Sequence, residues 1–362
     1  MDTKFPQDSI SDPVASPPVL NGRATVSDVA KRAGVSIYTI HNYFARPHLV
    51  AESTRQKIET AVTELGYIPN SMGQALRSGR TKTIGLLLLA HRLKGSFSFE
   101  TLSGILRELE THGYDLLISP VHSGGTPASV ARQIVSGGRC DAVLAHLENP
   151  DEECLRGLKA LNVPVVLLYQ DPPATEEGKL TGVNFDNGQG IDLIVRHLAD
   201  LGHKRIAFLG GTPGWPQTGA REAGFRSTMS ALNLKVAGDW VISTDFANPE
   251  IPVNHAIANL WKSSDPKPTA LVCASDWIAA AAIKALRLKG LRIPNDVSIT
   301  GFDNSDFCAA LDPPLTTISL PTEEIGRSAA TLVCANLDNG QFPSVEKVAC
   351  GLVIRKSTAP PA

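Results

Sequence analysis

Apolar residues follow two different spacings along the chain. Between residues 26 and 66 they recur every three or four positions, as at Val26, Val29 and Ala30, and this spacing predicts short amphipathic helices. From Thr83 onward, short continuous apolar runs alternate with amphipathic helical stretches. Such runs are typical of strands that are buried on both faces of a parallel sheet.

Three short helices are predicted in the first region. The first begins after Thr25, whose side chain pairs with Asp28 as an N-cap, and it ends at Gly34, where a positive φ costs little. Ser36 caps a second helix over residues 37–45.

The second and third helices each have an inward apolar face. Ile40 and Phe44 form that face on the second helix, and Gly66 ends the third. The inward residues of the third helix are Ile58, Ala61, Val62 and Leu65. Three short helices, of which the first two are joined by "AGVS", form a helix-turn-helix pattern.

The second region contains repeated strand and helix units. Its predicted strands are "TIGLLLL", "YDLLISPV", "DAVLAHL", "VPVVLLYQ", "RIAFLGG", "TALVCAS" and "VSITGFD". Helices are predicted between them, for example over Phe99–His112 and Gly188–Leu201. Such units predict a doubly wound parallel sheet. Because roughly 270 residues are more than one domain built on a single sheet usually contains, we expect two α/β lobes.

Charge separates the same two regions. The whole chain has a formal net charge of −2, but residues 23–80 carry eight basic and four acidic residues, a net charge of +4. The rest of the chain therefore carries −6. A basic helical module on an acidic body predicts a polyanionic partner for the module alone.

Cysteine usage and the N-terminus limit the cellular setting. The six cysteines include no CxxC pair and are typical of small core residues in a reducing compartment. Residues 1–22 are rich in Pro, Ser and Asp and lack an apolar stretch, so we interpret them as a disordered tail rather than a secretory signal. The run "IGLLLLA" is too short to cross a bilayer, and we expect no membrane partner.

Several segments resemble one family of regulators. "ATVSDVAKRAGVS", "TRQKIETAVTELGYIPN" and "LRSGRTKTIG" resemble the N-terminal domain and hinge of the lactose-repressor/galactose-repressor (LacI/GalR) family. "VNFDNGQG", "HLADLGHKRIAFLGG", "REAGF", "ASDWIAAAAIKAL", "IPNDVSITGFDN" and "PPLTTI" resemble its effector-binding core. The resemblance runs from about Ala24 to the C-terminus.

The resemblance implies an N-terminal all-α helix-turn-helix domain followed by an α/β two-lobed, periplasmic-binding-protein-like core of doubly wound parallel sheets. The expected domains are a tail at 1–22, the helix-turn-helix at 23–66, a hinge helix or linker at 67–81, and the core at 82–362. Within the core we expect an N-lobe from about 82–181 and 319–342, and a C-lobe from about 183–317 and 343–358.

The resemblance also implies how such a protein meets DNA. A homodimer places two second helices in successive major grooves of a pseudo-palindromic double-stranded operator. The hinge lies in the minor groove, where Leu76 matches the wedge leucine that opens a base step. The predicted DNA contacts are Thr25, Ser36, Ile37, Tyr38, Thr39, His41, Asn42, Arg46, His48, Arg55, Asn70 and Leu76. Packing of Leu76 on the core, or a helical interaction module without a DNA role, are the alternatives.

Three positions of the second helix depart from the family pattern. His41 and Asn42 stand where a Ser-Arg pair is usual, and Ala45 stands where Asn is usual. Asn42 is able to pair with adenine, and His41 with guanine or phosphate. Because an imidazole gains charge on mild acidification, operator affinity is expected to rise as the pH falls if His41 contacts DNA.

Two further departures concern helix formation. Ala51 replaces the serine N-cap of the third helix, so we expect Ser53 to start that helix later. Gly73 replaces a hinge alanine, which costs about 1 kcal/mol of helix propensity. A regulator that has lost DNA reading therefore remains an alternative.

The resemblance also locates an effector site between the lobes. Arg221, three residues after Thr218, matches an arginine that forks onto ligand oxygens, and Asp303 matches an acid that accepts ligand hydroxyls. The predicted effector contacts are Phe97, Tyr169, Arg221, Ser275, Asp276 and Asp303, with Trp215 as a weaker candidate. Tyr169 and Leu320 replace an aspartate and a glutamine, which predicts a less polar pocket. The alternatives are that Arg221 is an ordinary surface arginine and that Asp303 only caps a loop.

Signatures of catalysis are missing from the sequence. It contains no GxGxxG, GxxxxGK[ST], GxSxG or HExxH motif, so we predict no enzyme activity, no cofactor and no metal. We interpret the chain as a transcription regulator of the bacterial cytoplasm and nucleoid, most simply a repressor, controlled by a sugar or related metabolite. An activator and a periplasmic sugar-binding protein are the alternatives, and the basic helical module argues against the second.

Overall fold

The computed structural model describes residues 24–68, 79–89, 96–122, 124–147, 149–171, 179–263, 265–343 and 347–362, without the side chains of residues 45 and 96–98. The chain divides into two compact units, Met1–Gly79 and Arg80–Ala362. The predictions for the tail, Asn70, Gly73 and Leu76, and for the Phe97 side chain, lie outside this description. None of the described helices is long and apolar enough to span a membrane.

The first unit contains the predicted helices. They are α1 (Val26–Ala33), α2 (Ile37–Ala45) and α3 (Glu52–Leu65), with a 3₁₀ turn at Pro47–Leu49. Thr25 and Asp28 form a reciprocal capping box, and Gly34 ends α1 at φ 64°. Val29, Ile40, Ile58 and Ala61 are buried together in its core.

Two sequence predictions for this unit are wrong. Phe44 is 36% exposed, and the neighbouring Tyr43 packs against the core instead. Tyr43 and Phe44 are neighbours on the helix, and both lie near the edge of its inward face. Spacing alone therefore did not show which of the two rings is buried. The helix α3 begins at Glu52, directly after Ala51 and without a side-chain cap, rather than later at Ser53.

The second unit is built on two parallel sheets. One has the strand order β2-β1-β3-β4-β5 and the other β7-β6-β8-β9, and a short antiparallel pair, β10-β11, forms a separate two-stranded sheet. These strands are β1 Thr83–Leu89, β2 Asp115–Val121, β3 Ala142–His146, β4 Val165–Leu168, β5 Leu180–Val183, β6 Ile206–Gly210, β7 Val241–Ser243, β8 Ala270–Cys273, β9 Ser298–Thr300, β10 Thr317–Ser319 and β11 Gly351–Val353. All seven predicted strands are confirmed, whereas β5, β7, β10 and β11 were not predicted because they are short and weakly apolar.

Helices connect the strands and cover the sheets. They are α4 Ser96–Thr111, α5 Pro127–Ser136, α6 Glu152–Lys159, α7 Asn187–Asp200, α8 Pro216–Ala231, α9 Glu250–Ser263, α10 Asp276–Leu288 and α11 Thr322–Asn339. Ile84 and Leu86 of β1 pack into one core cluster and Leu87 into another, so β1 is buried on both faces. A parallel strand with helices on both sides requires this pattern.

Two glycines allow α4 and α11 to cross in very close contact. A Cβ atom on Gly104 would lie 2.0 Å from the carbonyl oxygen of Glu323, and one on Gly326 would lie 2.1 Å from that of Thr101. Neither position has room for a methyl group.

The second unit begins at a hydrogen-bonded junction. The guanidinium of Arg80 donates from Nη2 to the carbonyl of Leu337 at 2.6 Å, near the end of α11. The carboxylate of Asp141 accepts from the backbone N–H groups of Thr81 at 2.7 Å and Lys82 at 2.9 Å. These bonds fix the first residues of the unit against β3 and α11.

Candidate DNA-reading helix and effector cavity

The start of α2 combines a capped backbone with exposed side chains. The hydroxyl of Ser36 accepts from the N–H of Thr39 at 3.1 Å and bonds its hydroxyl at 2.9 Å. Ile37 and Tyr38 are 44% and 73% exposed. The cap holds the first turn rigid while these two predicted readers stay accessible.

Two of the departures from the family pattern, His41 and Asn42, lie on the same side of the helix as Ile37 and Tyr38. His41 and Asn42 follow Ile37 and Tyr38 by four residues each and are half-buried, so each pair shares a helix face. The structure thus brings these four predicted base readers together on one side of α2.

The other residues that are predicted to contact DNA differ in whether their side chains are free to reach a phosphate. Arg46 and His48 are exposed at the end of α2 and in the 3₁₀ turn. Arg55 forms an ion pair with Glu52 on α3, and the hydroxyl of Thr25 donates to Asp28 at 2.7 Å within the capping box. Arg46 and His48 are therefore better placed to meet a phosphate than Arg55 and Thr25.

The second unit contains a cavity of about 510 Å³. It is lined by residues that follow strand ends of both sheets, as expected where loops at carboxyl ends of parallel strands converge. Four of the predicted effector residues line it: Tyr169, Arg221, Ser275 and Asp303. Trp215 and Leu320 line it as well.

Arg221 is the buried cation of this cavity. It lies on α8 with 5% of its surface exposed, donating from Nε to the Oδ1 atom of Asn187 at 2.8 Å and from Nη1 to the carbonyl of Ala274. Its guanidinium carbon lies 3.8 Å from the centre of the Phe302 ring. Burial lowers the pKa of Arg221, and the nearby charge of Asp303 opposes that shift; the group remains a cation because arginine does not deprotonate in proteins.

Asp303 places a carboxylate beside this cation. Its Oδ1 atom lies 3.7 Å from Nη1 of Arg221. Its backbone has a φ of 119°, a conformation that is strained for any residue other than glycine. Its N–H donates to the carbonyl of Ile318 at 2.9 Å. Strain maintained by surrounding bonds is typical of functional sites.

The prediction that Asp276 contacts an effector is wrong in this structure. Asp276 is fully buried and does not line the cavity. It accepts from the N–H of Ser305 at 2.7 Å and from the hydroxyl of Thr317 at 2.5 Å. Burial raises the pKa of Asp276, and these bonds oppose the rise, so its role here is to hold neighbouring loops. The adjacent Ser275 does line the cavity, although its hydroxyl caps α10 by accepting from the N–H of Ile278 at 3.2 Å.

Tyr169 lies at the opposite wall in an unusual conformation. Its φ is 61°, and its hydroxyl shares a hydrogen bond with Thr101. Its ring lies 4.8 Å from that of His146, centre to centre. Tyrosine stands where the family usually has aspartate, and its ring lines the cavity; a pocket less polar than that of relatives stays a prediction.

Sequence reasoning missed several lining residues, among them Glu100, His146, Gln217, Phe246, Trp277 and Phe307. Gln217 had a signal, because it precedes Arg221 by one helical turn. Its side-chain oxygen is buried with no hydrogen-bond partner in the structure. Phe246 gave none, since it follows a strand too short to predict.

Comparison with known proteins assigns the two units to known domains. Residues 25–70 match the family described as bacterial regulatory proteins, lacI family, and residues 195–358 match the periplasmic binding protein-like domain. The HTH-type transcriptional repressor PurR of Photobacterium profundum is 30% identical over 337 residues, which cover 92% of this chain and 98% of that protein. The corresponding PurR of Aliivibrio salmonicida is 30% identical over 311 residues, or 86% and 91% of the two chains.

Solved structures give the same assignment. The lac repressor dimer bound to operator and the anti-inducer ONPF has a TM-score of 0.73 at 26% identity, over 93% of this chain and all of that one. The transcriptional regulator CelR–cellobiose complex has a TM-score of 0.66 at 27% identity, over 92% of this chain and all of that one. The helix-turn-helix, the two parallel sheets and the relatives agree, and the chain belongs to the lacI family of DNA-binding, effector-controlled transcriptional repressors.

Proposed function

We propose that this repressor acts as a homodimer that reads a pseudo-palindromic operator with α2 and releases or gains DNA when a sugar occupies the cavity. The observation that carries the proposal is that one chain combines exposed predicted readers on α2 with a cavity in which the buried Arg221 lies beside Asp303. The expected setting is the bacterial cytoplasm and nucleoid.

An exposed apolar surface supports the homodimer. Phe99 and Leu106 on α4 and Ile118 on β2 are all exposed, and β2 is an edge strand of its sheet. Large apolar side chains grouped on one lobe are typical of an association surface. Pairing of two copies would place two α2 helices on one operator, as a palindrome requires.

The chemistry of the cavity supports a sugar. Arg221 supplies a fork of N–H donors and Asp303 a carboxylate that accepts hydroxyl hydrogens. Aromatic rings, including Phe246, line the same space, and they suit the apolar C–H face of a pyranose. The complex of CelR with cellobiose is an example of a related protein that binds a sugar.

Selection from random duplexes by the purified protein tests DNA reading. We expect one inverted-repeat site to be enriched at low salt, with affinity that falls steeply as salt rises because lysine and arginine contacts release counterions. Sedimentation should show a dimer on that site. Failure to enrich any palindrome at low salt would contradict the proposal and favour a sensor that has lost DNA reading.

A further inference from the structure

The cavity wall contains two separate pairs of aromatic rings. Trp215 and Phe246 form one pair, with ring centres 5.8 Å apart, and Trp277 and Phe307 form the other, at 4.6 Å. All four rings line the cavity. Among the described residues, no ring contact joins one pair to the other, so the wall offers two platforms rather than one.

The first platform, Trp215 and Phe246, lies beside the buried cation. The guanidinium carbon of Arg221 lies 5.9 Å from the centre of the Phe246 ring. Trp215 precedes α8, the helix that carries Arg221. A sugar ring stacked on this platform would therefore lie near Arg221 and Asp303. The N–H donors of Arg221 and the carboxylate acceptor of Asp303 suit the hydroxyls of such a ring.

A buried carboxylate links the two segments that carry the second platform, Trp277 and Phe307. Asp276, next to Trp277 in α10, accepts from the N–H of Ser305 at 2.7 Å, two residues before Phe307. One buried group thus fixes both segments that carry the platform. Trp277 is nevertheless 60% exposed, so much of its ring stays accessible at the cavity although Phe307 packs against it.

The charges of the lining disfavour an anionic ligand. Its described residues include the carboxylates of Glu100, Asp303 and Asp306 and the single guanidinium of Arg221. Because Asp303 already lies 3.7 Å from Arg221, that cation is partly neutralised. A phosphate or carboxylate would meet net negative charge here.

We propose that the effector is an uncharged disaccharide, with one pyranose ring on each platform and Trp277 responsible for the preference for two rings over one. This inference rests on the proposed sugar response and adds the size and charge of the ligand. The volume of about 510 Å³ is within the range of pockets that enclose molecules larger than a single sugar ring.

Titration of the full-length protein, followed by calorimetry and tryptophan fluorescence, tests the proposal. The probes are glucose, glucose 6-phosphate, cellobiose, maltose and lactose. At least one disaccharide is expected to bind ten-fold or more tightly than glucose, and glucose 6-phosphate no more tightly than glucose. The variant Trp277→Ala is expected to abolish the disaccharide advantage and leave the affinity for glucose within about two-fold.

Leu288→Ala is the matched control, since Leu288 is an exposed apolar residue at the other end of α10 that does not line the cavity. Trp277→Phe should restore most of the advantage by restoring a ring. Equal binding of glucose and every disaccharide, tighter binding of glucose 6-phosphate, or equal losses for both sugar sizes in Trp277→Ala would overturn the proposal. So would binding of none of these probes. Operator enrichment, measured separately, would still decide DNA reading, so the two failures are distinguishable.

Discussion

On α2 the predicted readers Ile37 and Tyr38 are exposed, whereas in the cavity Arg221 is buried and bonded on several sides. Tyr38 can change with little effect on packing, because its ring contributes little to the core of its unit. Arg221 is hydrogen-bonded to Asn187 and Ala274 as well as lining the cavity. Recognition and stability are therefore separable on the helix and coupled in the cavity.

The largest expected effect comes from Arg221→Ala. Removing one partner of a buried charge network costs about 3–5 kcal/mol, so we expect the second unit to unfold at markedly lower denaturant and the effector response to disappear. Operator affinity without effector should be unchanged in the folded variant, because Arg221 lies outside the first unit. Urea unfolding and operator titration with and without effector measure the two effects.

Arg226→Ala is the control for that experiment. Arg226 is also on α8 but pairs with Glu222 at the surface, where such a pair contributes less than about 1 kcal/mol. Arg221→Lys, which keeps the charge but loses the fork, guards against a variant that fails to fold. Loss of operator affinity in folded Arg221→Lys, without effector, would contradict the assignment of this residue to the effector cavity.

A smaller effect is expected from Tyr38→Ala. Loss of a side chain that contacts a base edge costs about 1–3 kcal/mol, or roughly 5- to 150-fold in operator affinity. The free energy of unfolding should change by less than about 0.5 kcal/mol, since Tyr38 is 73% exposed. Ile40→Ala, on the same helix but fully buried, should show the reverse, with a loss of about 2–5 kcal/mol of stability. Unchanged operator affinity in Tyr38→Ala would remove it from the reading face.

The smallest expected effect is on pH dependence, which should differ between the stability of the second unit and the operator affinity of the first. His203 of the second unit is buried; its Nε2–H donates to the carbonyl of Ala359 at 2.9 Å, and its Nδ1 bonds the hydroxyl of Thr269 at 2.9 Å. Burial lowers the pKa of His203; the hydrogen bond to the carbonyl of Ala359 opposes that shift, and the nearby His197 and Arg205 add to it. The unfolded chain therefore binds the proton more readily, so stability is complete above about pH 6.5 and falls as the pH drops below it.

Thermal unfolding between pH 7.5 and 5.5 measures this loss, and a lower melting temperature at pH 5.5 is the expected result. His203→Gln should be less stable at pH 7.5 and show a shallower pH dependence. Operator affinity is expected to change in the opposite direction, rising on mild acidification through His41. A flat affinity would argue against DNA contact by His41, and an unchanged slope in His203→Gln would assign the loss to another group.

The sequence predicted the fold more fully than the cavity. Long apolar runs such as β1 and the capping residues Thr25 and Ser36 act locally, so their effects are visible in the chain itself. The role of Asp276 depends on Ser305 and Thr317, which are distant in sequence. The cavity residues Phe246 and Trp277 lie on loops or helix starts that only the folded sheets bring together.

The crossing of α4 and α11 has a mechanical consequence. Glu100 and Thr322, at the cavity end of the two helices, both line the cavity and are hydrogen-bonded to each other, while Leu337 near the far end holds Arg80. With no space for a methyl group at Gly104 or Gly326, the two backbones are in direct contact where the helices cross. The 18 residues of α11 span about 27 Å. A tilt of about 5° at the ligand end would displace the other end by about 2 Å. The pair therefore connects the cavity wall at Glu100 and Thr322 to Leu337, which holds Arg80 where the second unit begins.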